Sequence, residues 1–192
     1  MSKEFNISAE LDKQRVEKGF SELDARNISS WFLDVMPQML RYFRDNLTSY
    51  PVVATGPSFN SKAIVLPGEK EPQEGFENWK KVIDRMIFLL DEMDIKKCSM
   101  KNPCEEEKNK AEEEFEKLYG LLGKDFEKVK GIKPEKDSLD RVYFISDDTD
   151  HPEWAELDAQ YRYYEAVKDA YRDRCREEFF NLFSTWFWDL WV

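Results

Sequence analysis

The sequence predicts a mainly α-helical fold: a bundle of about four principal helices, the last of them long, with a small irregular or β-hairpin element. Three observations predict it. Apolar residues recur at three- and four-residue spacing through most of the chain, the mark of helices with one buried face. Charged residues make up 36% of the 192 positions, above the roughly 25% of ordinary domains, as long helices with solvated faces require. Runs of β-prone residues are short and few: Val52-Val53-Ala54, Ala63-Ile64-Val65-Leu66 and Val142-Tyr143-Phe144-Ile145. The length suits one domain over residues 1–192.

Residues 1–20 are polar and weakly patterned and read as an arm that docks through Phe5, Ile7 and Leu11. Ser21, with Asp24 three positions on, has the form of a capping box and starts the first principal helix. Its apolar positions run from Leu23 through Ile28, Trp31, Phe32, Val35, Met39 and Phe43 to Leu47, and Pro37 is expected to kink or split it. Residues 52–78 form a connection rich in Pro, Gly and Ser, with the small β element at 52–66. Trp79, Ile83, Met86, Leu90 and Met93 mark the second helix. Asn102-Pro103 offers a cap and a first-position proline for the third, over 103–122, with Phe115, Leu118, Tyr119 and Leu122 on its apolar face. Residues 123–152 are a long polar connection, within which 142–145 is a strand or a docked loop.

The closing helix begins at "TDHPEWAELD", with proline early and acids in the first turn. Its seam runs from Trp154 through Leu157, Tyr161, Tyr164, Val167, Tyr171, Cys175, Phe179, Leu182 and Trp186 to Leu190, on average one apolar residue every 3.6 positions. The chain then closes on "WFWDLWV", apolar nearly all round, and such a helix is a buried one. Trp186 and Leu190 continue the seam and should anchor the tail in the core. Trp188 lies almost opposite and should meet another part of the fold or a partner, including a second copy through the C-terminal helix.

The net charge of −11 argues against direct binding of nucleic acid or an anionic membrane, and allows binding to a basic protein surface. No apolar run approaches the ~20 residues that span a bilayer. The first residues lack the apolar core of a signal peptide, and three cysteines make no disulfide framework. A cytoplasmic protein is expected. Cys175, on the seam, should be a buried thiol, with Cys98 and Cys104 accessible at a helix break.

Three segments carry a resemblance: "GFSELDARNISSWFLDVMPQMLRYFRDNLTSYP" (19–51), "WKKVIDRMIFLLDEM" (79–93) and "RDRCREEFFNLFSTWFWDLW" (172–191). In this order the chain resembles a family of uncharacterised α-helical proteins encoded by bacteriophages and prophages. The resemblance implies an origin in a phage or an integrated element and carries no catalytic residues.

Chemistry leaves few traces. Di-iron bundles need two Glu-x-x-His pairs, and His151 is the single histidine. All-α nucleotide pyrophosphohydrolases similar to the MazG group hold magnesium with Glu-x-x-Glu and Glu-x-x-Asp. The first pattern occurs at Glu113/Glu116 and Glu153/Glu156; the second does not occur. Cys98 and Cys104 are spaced too widely for a usual zinc hairpin, and their remaining partners would be the distant Cys175 and His151. His151 reads as a solvated histidine at a helix entrance. No phosphate-binding glycine motif occurs.

No catalytic residue, cofactor or metal ligand is therefore assigned. The expected function is that of a phage or prophage accessory protein that acts by binding, as an inhibitor of a host protein, for instance a defence component. Its candidate contact residues are Trp188 and the carboxylates Glu105, Glu106, Glu107, Glu112 and Glu113, which could imitate nucleic-acid phosphates or simply solvate a helix face. Neutralising them should leave the fold as stable or more so. The alternatives are a protein that sequesters a small molecule or nucleotide signal beside the 52–66 loop, and the magnesium-dependent pyrophosphohydrolase.

Overall fold

The computed structural model describes residues 3–51, 73–133 and 141–191, and of residues 3–7, 73 and 74 the backbone alone. It is mainly α, with no strand among the described residues. Among the described residues seven α-helices follow in order: α1 (Lys3–Lys18), α2 (Glu22–Arg26), α3 (Ile28–Asp45), α4 (Gln73–Met93), α5 (Glu105–Tyr119), α6 (Phe126–Lys130) and α7 (Pro152–Trp186). The expected β element at 52–66 lies outside the described residues. The chain groups into two compact units. The first comprises Met1–Cys98 and Arg172–Val192, the second Ser99–Tyr171. The unbroken seam of the closing helix gives no sign of this division, because α7 supplies its first half to one unit and its second half to the other.

In the first unit the N-terminal segment, expected as a docking arm, is the helix α1. Of its three expected anchors, Leu11 is half-buried, and the side chains of Phe5 and Ile7 lie outside the described set. A polar clamp holds its end. Arg15 donates twice to Asp24, at 2.9 and 2.8 Å, and the backbone amide of Glu22 donates to Gln14 at 2.8 Å. The Arg15 hydrogen bonds, followed by those from Ser21, hold the Asp24 carboxyl well below the usual range. Ser21 and Asp24 form the capping box expected of them, and Ser21 is fully buried. The helix breaks at Asn27, whose side chain accepts from the Ser30 amide and starts α3. Pro37 does not split α3. It lies buried inside a continuous helix, where packing against α4 outweighs the missing hydrogen bond.

Helix α4 is the core of this unit. Trp79, Ile83, Met86, Leu89 and Leu90 are wholly buried. The Trp79 ring meets Phe43 edge-on at 6.4 Å and Trp186 at 5.1 Å, so α3, α4 and the end of α7 converge on one indole. Phe179, also wholly buried, packs on Phe32 at 5.9 Å. Gly75 is required near the start of α4: a Cβ there would lie 2.2 Å from the Tyr50 ring. Arg172 closes the other end by donating to the Met93 carbonyl from two nitrogens, at 3.1 and 2.9 Å, and Arg85 pairs with both oxygens of Glu178 at 2.7 Å.

In the second unit Ala111, Phe115, Tyr119, Phe126, Ile145 and Trp154 form the core, with Tyr143 and Leu157 packed against it. Asn102 does not cap α5, which starts at Glu105 after Cys104. Instead its buried amide donates to the Tyr161 carbonyl at 3.0 Å and to Glu165 at 3.1 Å, while its oxygen accepts from the Cys104 amide at 2.9 Å. Helix α5 ends three residues before the expected 122, because Gly120 takes a positive φ of 76° and turns the chain. Leu122 is consequently exposed, and Leu118, still within α5, is exposed as well rather than part of the apolar face. Residues 142–145 are a docked segment that leads into a short 3-10 turn and not a strand: the Tyr143 amide donates to the Leu122 carbonyl and Ile145 is buried.

All three cysteines are buried thiols. Cys175 lies where the seam places it, but Cys98 and Cys104 are not accessible. Cys98 is closed in against Glu92, at 3.7 Å. Native-state labelling with a maleimide should therefore modify none of the three rapidly, and full labelling should need denaturant. The tail gives a sharper test. Trp186→Ala removes the partner of Trp79 and should cost about 3–5 kcal/mol, whereas Trp188→Ala, at an exposed position, should change the unfolding free energy of dilute protein by under ~0.5 kcal/mol. Urea unfolding of the two variants side by side reads the difference.

Candidate binding surfaces

The residues expected to meet partners divide between the two units. Trp188 belongs to the first. Helix α7 stops at Trp186, and a 3-10 turn over Phe187–Asp189 carries Trp188 outward, 83% exposed, its ring edge-on to Phe187 at 5.1 Å. Trp186 is buried as its position on the seam requires, but the seam stops there: past the turn Leu190 is only half-buried, and Phe187 and Trp191 stand exposed, so the closing residues are not a helix buried all round. Beside this turn runs an open cleft of about 690 Å³. Val35, Met39 and Phe43 of α3 form one wall, and Phe183, Phe187 and Leu190 the other. Gln38 and the hydroxyl of Tyr42 are the polar groups among the described residues that line it. Met39 and Tyr42 stand exposed at the edge, at 58% and 72%. The guanidiniums that α3 carries, Arg41 and Arg44, are taken up by Asp91 and Asp84 of α4, at 2.5 Å each.

The sequence signal for this cleft was the excess of apolar positions on α3. Leu33, Pro37 and Leu40 face inward, while Ile28, Val35, Met39 and Tyr42 form a second stripe on another side of the helix. A helix with one buried face needs only the first set.

The five glutamates belong to the second unit, and all are exposed on α5. They do not share one face. At 100° per residue Glu106 and Glu113 point directly away from the buried side, Glu105 and Glu112 lie on one flank and Glu107 on the other. Lys108 is paired with Glu112 and lies 4.5 Å over the Tyr161 ring. Glu105, Glu106 and Glu107 occupy the first turn, where carboxylates favour the helix by a few tenths of a kcal/mol each. Neutralising the run should thus lower stability slightly, contrary to the reading from like-charge spacing alone. The wider charge is uneven. The second unit holds 12 Lys and Arg against 20 Asp and Glu, a net of −8 out of the chain's −11.

Behind that surface lies a buried polar cluster that sequence reasoning missed. The Asp148 carboxylate accepts from the Tyr119 hydroxyl at 2.7 Å, from the Asp150 amide at 3.1 Å and from the Lys130 ammonium, which also donates to Asp150 at 2.6 Å. Burial alone would push the Asp148 carboxyl up; the hydrogen bonds from Lys130, Tyr119 and Asp150 outweigh it and hold the carboxyl below its ordinary value. Burial and the Asp148 hydrogen bond push the Tyr119 hydroxyl up. These contacts order the loop ahead of α7. His151 stacks on Trp154 at 4.1 Å and pairs with Glu153 at 3.0 Å, half-buried rather than solvated.

Among the described residues no group of three or more His, Cys, Asp or Glu side chains is placed to hold a metal ion, and Glu113, Glu116, Glu153 and Glu156 are all exposed. No helix of these residues is long and apolar enough to cross a membrane. The loop expected to border a small-ligand pocket lies outside the described residues. Compared with known proteins, the chain matches no family model, no curated sequence and no solved structure.

The Asp148 cluster sets an acid limit. A carboxyl depressed in the folded state contributes stability that is complete above its unfolded value of about 3.9 and is lost as pH falls through the folded one. Asp148→Asn should therefore be less stable than the wild type at neutral pH, by more than the ~1 kcal/mol of an exposed pair. The gap should narrow below about pH 4, as the wild-type carboxyl is protonated. Urea unfolding across that range measures both effects.

Proposed function

We propose that this protein is a bacteriophage or prophage accessory protein that acts by binding, and that it inhibits a host protein by covering a basic surface. The observation that carries the reading is the charge asymmetry. The second unit holds −8 of the net −11, and Glu106 and Glu113 project from the outermost line of α5. Clustered charge of one sign raises encounter rates with an opposite surface and rejects like-charged partners. Carboxylates along a helix can occupy a groove that otherwise holds phosphates. The resemblance of residues 19–51, 79–93 and 172–191 to phage-encoded proteins supplies the setting.

The alternatives gain less from the geometry. The small-molecule reading rests on the 52–66 loop, which lies outside the described residues, and among the described residues that line the cleft of the first unit none is cationic.

The test uses the wild type and a variant with Glu105, Glu106, Glu107, Glu112 and Glu113 all changed to Gln, checked for helicity by circular dichroism. The wild type should capture a host protein from bacterial lysate, release it as salt rises, and suppress its activity when the two purified proteins are mixed. The variant should stay folded, with a slightly lower melting temperature, and bind that target at least tenfold more weakly. A target whose affinity responds neither to salt nor to the Gln variant overturns the acidic-surface reading.

A further inference from the structure

We propose that the aromatic cleft of the first unit is a dimer interface that takes a second copy of this chain, with Trp188 of each copy seated in the cleft of the other. The proposal rests on the apolar face of α3 and the tail, and not on the acidic α5.

Area comes first. An aromatic side chain offers about 150–250 Å². The exposed fractions of Tyr42 (72%), Phe187 (48%), Trp188 (83%) and Trp191 (68%) then leave roughly 400–700 Å² of aromatic surface per copy, before Met39 is added. That is between half and nearly nine-tenths of the ~800 Å² per partner of a stable interface, with the aliphatic walls of the cleft still uncounted. It also reaches or exceeds the ~300–600 Å² of the largest apolar patch on a typical monomer.

Shape comes second. A twofold contact must be self-complementary, with each surface carrying both the knob and the hole. Here the two adjoin. Phe187 and Leu190 line the cleft, and Trp188, between them in sequence, projects from the same turn. A partner with a different fold would need the cleft or the knob; a second copy uses both.

Charge comes third. Two like surfaces meet only if neither presents an uncompensated charge, because like charges brought together and desolvated oppose association. Among the described residues no ionised side chain lines the cleft, and Asp189, in the turn that carries Trp188, is half-buried and must stay at the solvated rim of the contact. Arg41 and Arg44 are already neutralised by Asp91 and Asp84 within the same copy. The first unit accounts for −3 of the net −11, so the weight of the acidity lies elsewhere in the chain.

Sedimentation equilibrium of the full chain over a range of concentrations tests the proposal. The expected result is a reversible monomer–dimer equilibrium that approaches twice 22.9 kDa and changes little with salt, as an apolar contact requires. Trp188→Ala and, separately, Tyr42→Lys should each weaken the dimer at least tenfold and leave the circular dichroism spectrum unchanged, since both side chains are exposed. Mixing Tyr42→Lys with Trp188→Glu, each monomeric alone, should restore a heterodimer, because a twofold interface places position 42 of one copy against position 188 of the other. A wild type that stays monomeric at every concentration overturns the proposal. So does a dimer that survives both single substitutions, and so does open-ended assembly, which would mean a head-to-tail contact.

Discussion

The burial of Trp79 is the constraint on which the first unit depends. One indole on α4 is enclosed by Phe43 from α3 and Trp186 from the far end of the chain, so three segments distant in sequence are fixed by a single side chain. The polar contacts around it act at the edges. Arg172 satisfies the last carbonyl of α4, and Arg85 forks onto Glu178, each of them joining α4 to α7. Such pairs fix orientation more than they add stability, because they remain part-exposed. The second unit has a comparable centre of another kind. Its aromatic core is closed by the Asp148 carboxylate, whose hydrogen bonds tie α5, α6 and the loop before α7 together.

Much of this was legible in the sequence. Ser21 and Asp24 announced a capping box because the chemistry of a cap is local. Trp154, Cys175, Phe179 and Trp186 announced a buried seam because helical periodicity is local too. What failed was decided by tertiary contacts. Pro37 reads as a breaker until it is seen buried inside a helix that runs on through it. Asn102 reads as a cap until its amide is seen to reach Tyr161 and Glu165, some sixty residues away. Cys98 and Cys104 read as accessible because nothing in their neighbours reveals that the turn around them is packed.

The candidate surfaces were legible in part for the same reason. Trp188 stood out as the residue on the wrong side of its helix, and the acidic run of α5 as a stretch of composition. Two things were hidden: the cleft beside Trp188, which needs α3 and the tail brought together, and the concentration of charge in one unit, which needs the unit boundaries. The acidic and the aromatic surfaces thus lie on different units.

Helix α7 has a consequence for motion along the chain. Its seam is buried at Trp154 and again at Cys175, Phe179 and Trp186, yet between them Tyr164 and Val167 stand exposed and Tyr161 and Tyr171 only half-buried. Isolated helices depend on propensity and neighbouring ion pairs, such as Lys168 with Glu165, and these supply only tenths of a kcal/mol each. Backbone amides usually exchange fastest at the ends of a helix, where fraying begins. Here the middle turns, where Tyr161, Glu165 and Tyr171 are only half-buried, should exchange faster than the turns around Trp154 and Phe179, which the cores of the two units bury.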